Sequence, residues 1–527
     1  MSDTIFELPL EPAGVPRGRA MIERADWAAR AFATYDSATV QRIVDAAAAA
    51  GASRAQELAE WAVRETGFGV ASHKVVKNLA CSTGIAAAYR AADFVDPVVD
   101  STARIVSVPR PAGVVLALTP STNPVATVYF KILLALLTRN AIVISPHPYA
   151  KAVCAEAART MADAAIAAGA PDGCIQVVAE PSIPLVNALM TDPRTDVIVA
   201  TGGSLMVRAA YRSGNPAIGV GPGNVPVLVD ASADLAAAAN RIVESKAFDN
   251  SVLCTNESVL IVEDPVADRL LDHMRRAGAH LLSDADRDKV RDLVFPDGQV
   301  DTRWIGKDAG AIARAAGVRV PASTSVLLAP FDLVVPEEPL AHEKLFPVLG
   351  VVRVASAGRG IDAANAVLRI TGEGHSAAIH STDARTIMEF SAAVRVLRVS
   401  VNVGNSLGSS GLSTNLALSM TIGTGFFGRS AVGENLEPKH LVNWTRIAYN
   451  SDVSVPMADF AGVAPWSAPE GAVPAYPRAS NEPGPGSGGG AAATARPDLV
   501  EAAYPGGELR EEIRRLIIDE LNAIVRG

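Results

Sequence analysis

Short runs of β-branched and aliphatic residues recur from residue 114 onward, each separated from the next by a stretch long enough for a helix. They are VVLAL (114–118), AIVI (141–144), IQVV (175–178), DVIVA (196–200) and VPVLV (225–229). The segments at 150–168 and 204–213 read as crossover helices between them. Continuous apolar runs joined by helices belong to strands buried on both faces, which predicts an α/β chain built on a doubly wound parallel sheet. A second alternation follows, with SVLIV (258–262), SVLLA (325–329), GVVRV (350–354) and AAIHS (377–381). Two α/β units in series are therefore expected, with a site between them. Upstream, residues 20–95 read as helices, since apolar positions recur every three or four residues through VQRIVDAAAA and AQELAEWAV.

With 49% hydrophobic and 20% charged residues among 527, the chain can bury a large core, which rules out disorder over most of its length. The net charge is −9 and no run supplies a basic face, so neither nucleic acid nor an anionic membrane is an expected partner. The most apolar stretch, Ala112 to Leu137, is broken by Thr119, Pro120, Ser121, Asn123 and Lys131, so no bilayer span is expected. Asp3, Glu7 and Glu11 stand where a secretory leader would carry Lys or Arg, which predicts a cytoplasmic protein. The four cysteines are scattered, with no CxxC pair and no histidine at ligand spacing. They read as thiols in a reducing cytosol, and no metal is expected.

From 464 to 507 the composition shifts to Pro, Gly, Ala and Ser, as in NEPGPGSGGGAAATARP, which predicts a flexible linker. Residues 508–527 then carry Leu509, Ile513, Leu516, Ile517, Leu521, Ile524 and Val525 as one stripe, interrupted by Glu520. A lone helix of this length is marginal in water, so its stripe calls for a partner.

Cys254 stands in FDNSVLCTNESVLIV, in a polar turn between a helix and a strand, where a thiol can meet a substrate. Taken alone, that placement leaves a nucleophile and a structural thiol both open. The stretches FDNSVLCTNES, TPSTNPVATVYFKILLALLTRNAIVISPHP, GVGPGNVPV, HEKLFPVLG and SMTIGTGFFGRSAVGENLEPKHLVN together resemble the CoA-acylating aldehyde dehydrogenases. The likeness is to the aldehyde dehydrogenase half of bifunctional aldehyde-alcohol dehydrogenases and to enzymes of catabolic microcompartments. It runs from about residue 20 to residue 450.

The resemblance implies the aldehyde dehydrogenase fold. A Rossmann-like cofactor domain would comprise 1–95 and 111–229, with 429–443 returning to it, and 230–428 would form the catalytic domain. An oligomerisation arm would comprise 96–110 and 444–463, with VVDSTARIVSV pairing against a neighbour in a homo-oligomer, dimer or larger. Cys254 is implied as the nucleophile, whereas Cys81, Cys154 and Cys174 match no motif and read as small buried hydrophobes. Asn123, with the Cys254 amide, would hold the oxyanion formed when sulfur adds to an aldehyde.

For NAD, the resemblance implies Thr119, Pro120 and Ser121, the TGGS turn with Thr201, Gly202 and Gly203, and Gly219. It also implies Glu343 at the nicotinamide ribose. Pro146 and His147 replace the lysine that hydrolytic relatives place near the adenosine, which leaves NADP open. His375 would assist deprotonation of CoA, with a hydrogen-bonded structural histidine an equal reading.

Hydrolytic relatives carry a water-activating glutamate where this chain has Gly219. The acyl-enzyme is thus expected to last until coenzyme A, a better nucleophile than water, arrives. The tail resembles encapsulation peptides that dock on shell proteins of bacterial microcompartments, with self-docking or helix oligomerisation as alternatives. A microcompartment lumen and a short aldehyde such as propionaldehyde follow from that likeness. A hydrolytic aldehyde dehydrogenase and a non-catalytic scaffold are the rival readings.

Overall fold

A computed structural model describes residues 12–471 and 475–476. Helices at Val15–Phe32, Ser37–Ser53, Ala55–Thr66 and Ala71–Leu79 open the chain. Asp36 caps the second of these by accepting the Thr39 amide, and the fourth runs on into a π-helical turn at Ala80–Gly84. Strands β1 (Val98–Asp100) and β2 (Ile105–Pro111) follow.

Next come β3 (Val114–Thr119), β4 (Ala141–Pro146), β5 (Ile175–Val177), β6 (Val197–Thr201) and β7 (Ala217–Val220). They form one parallel sheet in the order β5-β4-β3-β6-β7. Strands β8 (Val225–Val229), β9 (Glu257–Glu263), β10 (Ala279–Leu281), β11 (Val326–Pro330), β12 (Val348–Val354), β13 (Ala377–His380) and β14 (Val399–Val401) form a second parallel sheet. Its order is β10-β11-β12-β9-β8-β13-β14. β15 (Val442–Ala448) returns to pair antiparallel with β2, giving a separate sheet β1-β2-β15.

The aliphatic runs became strands because both faces of each sheet are covered; every residue of β3, β4, β8 and β9 is buried. One assignment needs correcting. VPVLV, expected within a cofactor unit ending at residue 229, is β8 and lies between β9 and β13 in the second sheet. The first sheet is closed instead by β7, whose four residues include Gly219, and the chain crosses from one sheet to the other over residues 221–224. A strand's composition shows that it is buried and not which sheet buries it.

The apolar segment read as too interrupted for a bilayer contains the helix Pro124–Leu137, buried on all sides by protein. Among the described residues no helix is long and apolar enough to cross a membrane. The expected helix at 508–527 and the linker beyond residue 476 lie outside the described residues.

In the first sheet Thr119 is level with Pro146, and Leu118 with Ala200. The carboxyl ends of β3, β4 and β6 therefore stand side by side, at the edge where open parallel sheets present ligands.

Candidate active site

Asp249, Asn250 and Ser251 follow the helix Leu235–Ala247, and all three have positive φ, of 51°, 51° and 67°. Three successive side-chain-bearing residues in the left-handed region cost on the order of 1–3 kcal/mol each, so the surroundings must hold them there. Asp249 does this through its whole polar surface. Its amide donates to His73 Nδ1 at 2.8 Å, its Oδ1 accepts the Val70 amide at 2.6 Å, and its Oδ2 accepts Lys74 Nζ at 2.9 Å and also Lys77 Nζ. Asn250 Nδ2 donates to the Gly306 carbonyl at 2.9 Å, and the Ser251 hydroxyl donates to the Lys246 carbonyl. Beyond the turn, Asn256 Nδ2 donates back to the Ser251 carbonyl at 3.0 Å, while its Oδ1 accepts Lys246 Nζ at 2.6 Å.

Cys254 projects from this clamped turn and is half-buried, whereas Cys81, Cys154 and Cys174 are buried. The next residue is clasped as well. Asn405 Nδ2 donates to the Thr255 carbonyl at 2.7 Å, and Thr255 Oγ1 donates to the Ser406 carbonyl at 2.9 Å. The crossover between the two sheets passes directly against Cys254: a Cβ at Gly223 would lie 2.2 Å from the Cys254 carbonyl oxygen and 3.3 Å from His375 Cε1. Only glycine fits that approach. The Gly223 amide donates to Glu343 Oε1 at 3.1 Å, so Cys254, Gly223, His375 and Glu343 form one group.

Burial pushes the Cys254 thiol up to about 12, and Glu343 acts in the same direction; its own backbone amide, Arg398 and Lys77 pull against them. Burial likewise raises Glu343 to about 8, so near neutral pH its carboxyl is protonated. His375 is fully buried, its Nδ1 pairs with Ser376 Oγ at 3.0 Å, and its carbonyl accepts Arg398 Nη1 at 2.7 Å. Burial and the adjacent Arg398 push the ring down to about 3, so it is neutral, and its Nε2 has no hydrogen-bond partner among the described residues. The resting group is thus a protonated thiol beside a neutral imidazole.

Asn123 is buried at the head of the helix Pro124–Leu137, reached through the Pro120–Thr122 turn that leaves β3. Its Oδ1 accepts Lys77 Nζ at 2.5 Å, and because Lys77 also bonds Asp249, this links the Asn123 amide to the cysteine turn.

The residues expected at the cofactor gather at the open edge of the first sheet. Thr119 ends β3 with Pro120 and Ser121 half-buried behind it, Pro146 ends β4, and Thr201 ends β6. The His147 amide donates to the Thr119 carbonyl at 3.0 Å, which ties the SPHP segment to this edge. After Thr201 the chain enters the helix Ser204–Arg212 with no capping side chain among the described residues, and a Cβ on Gly202 or Gly203 would meet nothing within 4 Å. Exposed amides at a helix N-terminus suit a pyrophosphate, so these residues fit a dinucleotide.

Gly219 is placed differently. It lies in β7 under the helix Ser204–Arg212, its amide donates to Tyr211 Oη at 2.8 Å, and a Cβ there would come within 2.6 Å of Val207 Cγ1. Its hydrogen face is turned to protein rather than to the open edge.

Sequence reading missed Lys74, Lys77, Asp249, Gly223 and Arg398. Lys74 and Lys77 carried one signal, two lysines three residues apart on one face of a helix that packs against the core. A cavity of 440 Å³ lies beyond them, lined by Ala80, Gly84, Tyr89, Leu412, Leu416 and Leu418.

Residues 13–414 match the Aldehyde dehydrogenase family. An aldehyde-alcohol dehydrogenase of Clostridium acetobutylicum is 38% identical over 427 residues, covering 80% of this chain and 49% of that protein; the chain spans about half the length of this curated relative. Among solved structures, an acetylating aldehyde dehydrogenase from Geobacillus thermoglucosidasius superposes with a TM-score of 0.81 at 36% identity, over 83% of this chain and 97% of that one. A propionaldehyde dehydrogenase from Rhodopseudomonas palustris, with bound CoA and an acylated cysteine, gives 0.75 at 28% identity, over 82% and 97%.

Proposed function

This chain belongs to the aldehyde dehydrogenase family, and from that premise we propose that it oxidises a short aldehyde and passes the acyl group to coenzyme A through a thioester on Cys254. One observation carries the choice of acceptor: at Gly219 there is no carboxylate, and Val207 and Tyr211 leave no room for one. Without that base, water lacks an activation worth typically 10²- to 10⁴-fold, whereas a CoA thiolate needs no comparable help. The acylated cysteine of the Rhodopseudomonas enzyme, seen with CoA, supports the same reading.

In the proposed cycle the Cys254 thiol first gives its proton to solvent; the thiolate sulfur then adds to the aldehyde carbon and the carbonyl electron pair moves to oxygen, where Asn123 Nδ2 and the Cys254 amide receive the negative charge. NAD, when bound, would supply the hydride acceptor. Thr119, Pro146, His147 and the Thr201–Gly203 turn would hold it, with Glu343 toward the ribose. Collapse of the oxyanion leaves a thioester on sulfur. CoA, reacting as its thiolate, then displaces the Cys254 sulfur, which leaves as thiolate and takes a proton from solvent; His375, too weak a base to hold the CoA proton while its ring is pushed down to about 3, would accept a hydrogen bond at its unpartnered Nε2. A propionaldehyde-sized substrate is proposed on the likeness to the propionaldehyde dehydrogenase of Rhodopseudomonas palustris.

Purified protein given propionaldehyde and NAD should form NADH in quantity only when CoA is added, with propionyl-CoA as product. Equal NADH without CoA, and free propionate, would overturn the acylating reading in favour of the hydrolytic one. Residues 508–527 are proposed as an encapsulation peptide, on their apolar stripe and the Pro- and Gly-rich run before them. Deleting them should abolish co-sedimentation with microcompartment shells and leave turnover unchanged; shells that still retain the shortened protein would refute that role.

A further inference from the structure

We infer that Lys77 is a positioning residue for the oxyanion, fixing which way round the Asn123 amide sits. This rests on the proposed role of Asn123. An asparagine side chain has an acceptor edge and a donor edge of nearly the same shape, so packing alone does not choose between its two orientations. An ammonium has three donors and no acceptor. The atom 2.5 Å from Lys77 Nζ must therefore be the amide oxygen.

Lys77 has no freedom to turn away. Its side chain is 1% exposed, and a second donor is spent on Asp249 Oδ2, where Lys74 also donates, while Asp249 Oδ1 is held by the Val70 amide. With Oδ1 committed, Nδ2 keeps among the described residues only a long 3.4 Å contact to Thr122 Oγ1, so its hydrogens remain available to an oxygen that becomes negative. The cation on Oδ1 also draws charge from the amide and strengthens the N–H as a donor. Lys77 thus aligns the oxyanion donor and ties it to the turn that carries the nucleophile, without touching substrate.

The test is a double-mutant cycle in the full-length enzyme with Lys77→Met and Asn123→Ala, assayed for NADH formation with aldehyde, NAD and CoA. Losing one oxyanion donor typically costs about 10²- to 10³-fold in rate. Lys77→Met should slow kcat by about 10²-fold, leave the aldehyde KM within about threefold, and leave iodoacetamide alkylation of Cys254 within about twofold of wild type. The double variant should be no slower than Asn123→Ala alone.

Multiplying effects in the double variant, an unchanged kcat in Lys77→Met, or a loss explained by altered Cys254 alkylation would each overturn the inference. Should Lys77→Met not fold, Lys77→Gln replaces it in the cycle. Glutamine keeps a polar group there but presents either edge, so the same non-additive loss is expected. If Asn123→Ala itself runs at the wild-type rate, the oxyanion reading has failed; if only Lys77→Met does, the inference about Lys77 has failed alone.

Discussion

The two halves of the site are built on opposite plans. Around Cys254 the backbone is forced into three left-handed residues and locked by buried charges, with Asp249 between Lys74 and Lys77 on one side and Asn256 under Lys246 on the other. At the end of β6 the Gly202–Gly203 turn is open, its helix is uncapped among the described residues, and Leu205 is exposed. The difference suits the roles proposed for each. Bond formation to carbon tolerates little displacement and rewards a rigid frame. A surface that must admit and then release a dinucleotide, so that a second bulky substrate can enter, gains from having few internal bonds to break.

That contrast can be broken or sharpened in order of effect. Replacing Cys254 with Ala should abolish NADH formation while the protein remains folded by circular dichroism; residual turnover would show that the clamped half is not where the chemistry occurs. Asp249→Ala strips the carboxylate from two buried ammonium groups and should cost about 3–5 kcal/mol in denaturant unfolding. A loss below about 1 kcal/mol would show the turn to be held by other means.

On the open half, Gly203→Asp places a negative charge where the pyrophosphate is proposed to sit. It should raise the KM for NAD by about tenfold with kcat and stability nearly unchanged. A change in stability instead would mean that the open half is not open. The smallest effect concerns the cavity. A Cβ at Gly84 would stand 3.4 Å from Leu418 Cδ2, so Gly84→Val fills part of the 440 Å³ cavity; an aldehyde chain bound there would make relative kcat/KM shift from butyraldehyde toward acetaldehyde by several-fold, and an unchanged ratio would put the chain elsewhere.

Much of the frame was legible because long aliphatic strands declare themselves, but β7, β10 and β14 have only three or four residues and no period to detect. The unforeseen β7 is why VPVLV was credited to the wrong sheet. Cys254 and Asn123 could be singled out as candidates because they stand in distinctive short motifs, whereas His375 could be named only beside the equal reading of a structural histidine. Lys77 was not, since its meaning lies in contacts with Asp249, 172 residues away, and with Asn123, 46 away. A lysine on a helix normally signals solvent, and only the fold converts it into a buried tie. Gly223 sat within a quoted motif, yet its role depends on how near the chain passes to Cys254.

The protonated state of the resting nucleophile also bears on survival. Thiolates attack peroxides and disulfides far faster than thiols do, and a sulfur held near 12 is almost never a thiolate near neutral pH. Between turnovers the enzyme therefore carries its most vulnerable atom in the form least prone to sulfenic acid. Alkylation of Cys254 in the ligand-free protein should accordingly keep accelerating from about pH 7 to about pH 10 without levelling. A plateau below about pH 8 would mean that the sulfur is already ionised, and exposed to oxidants, at rest.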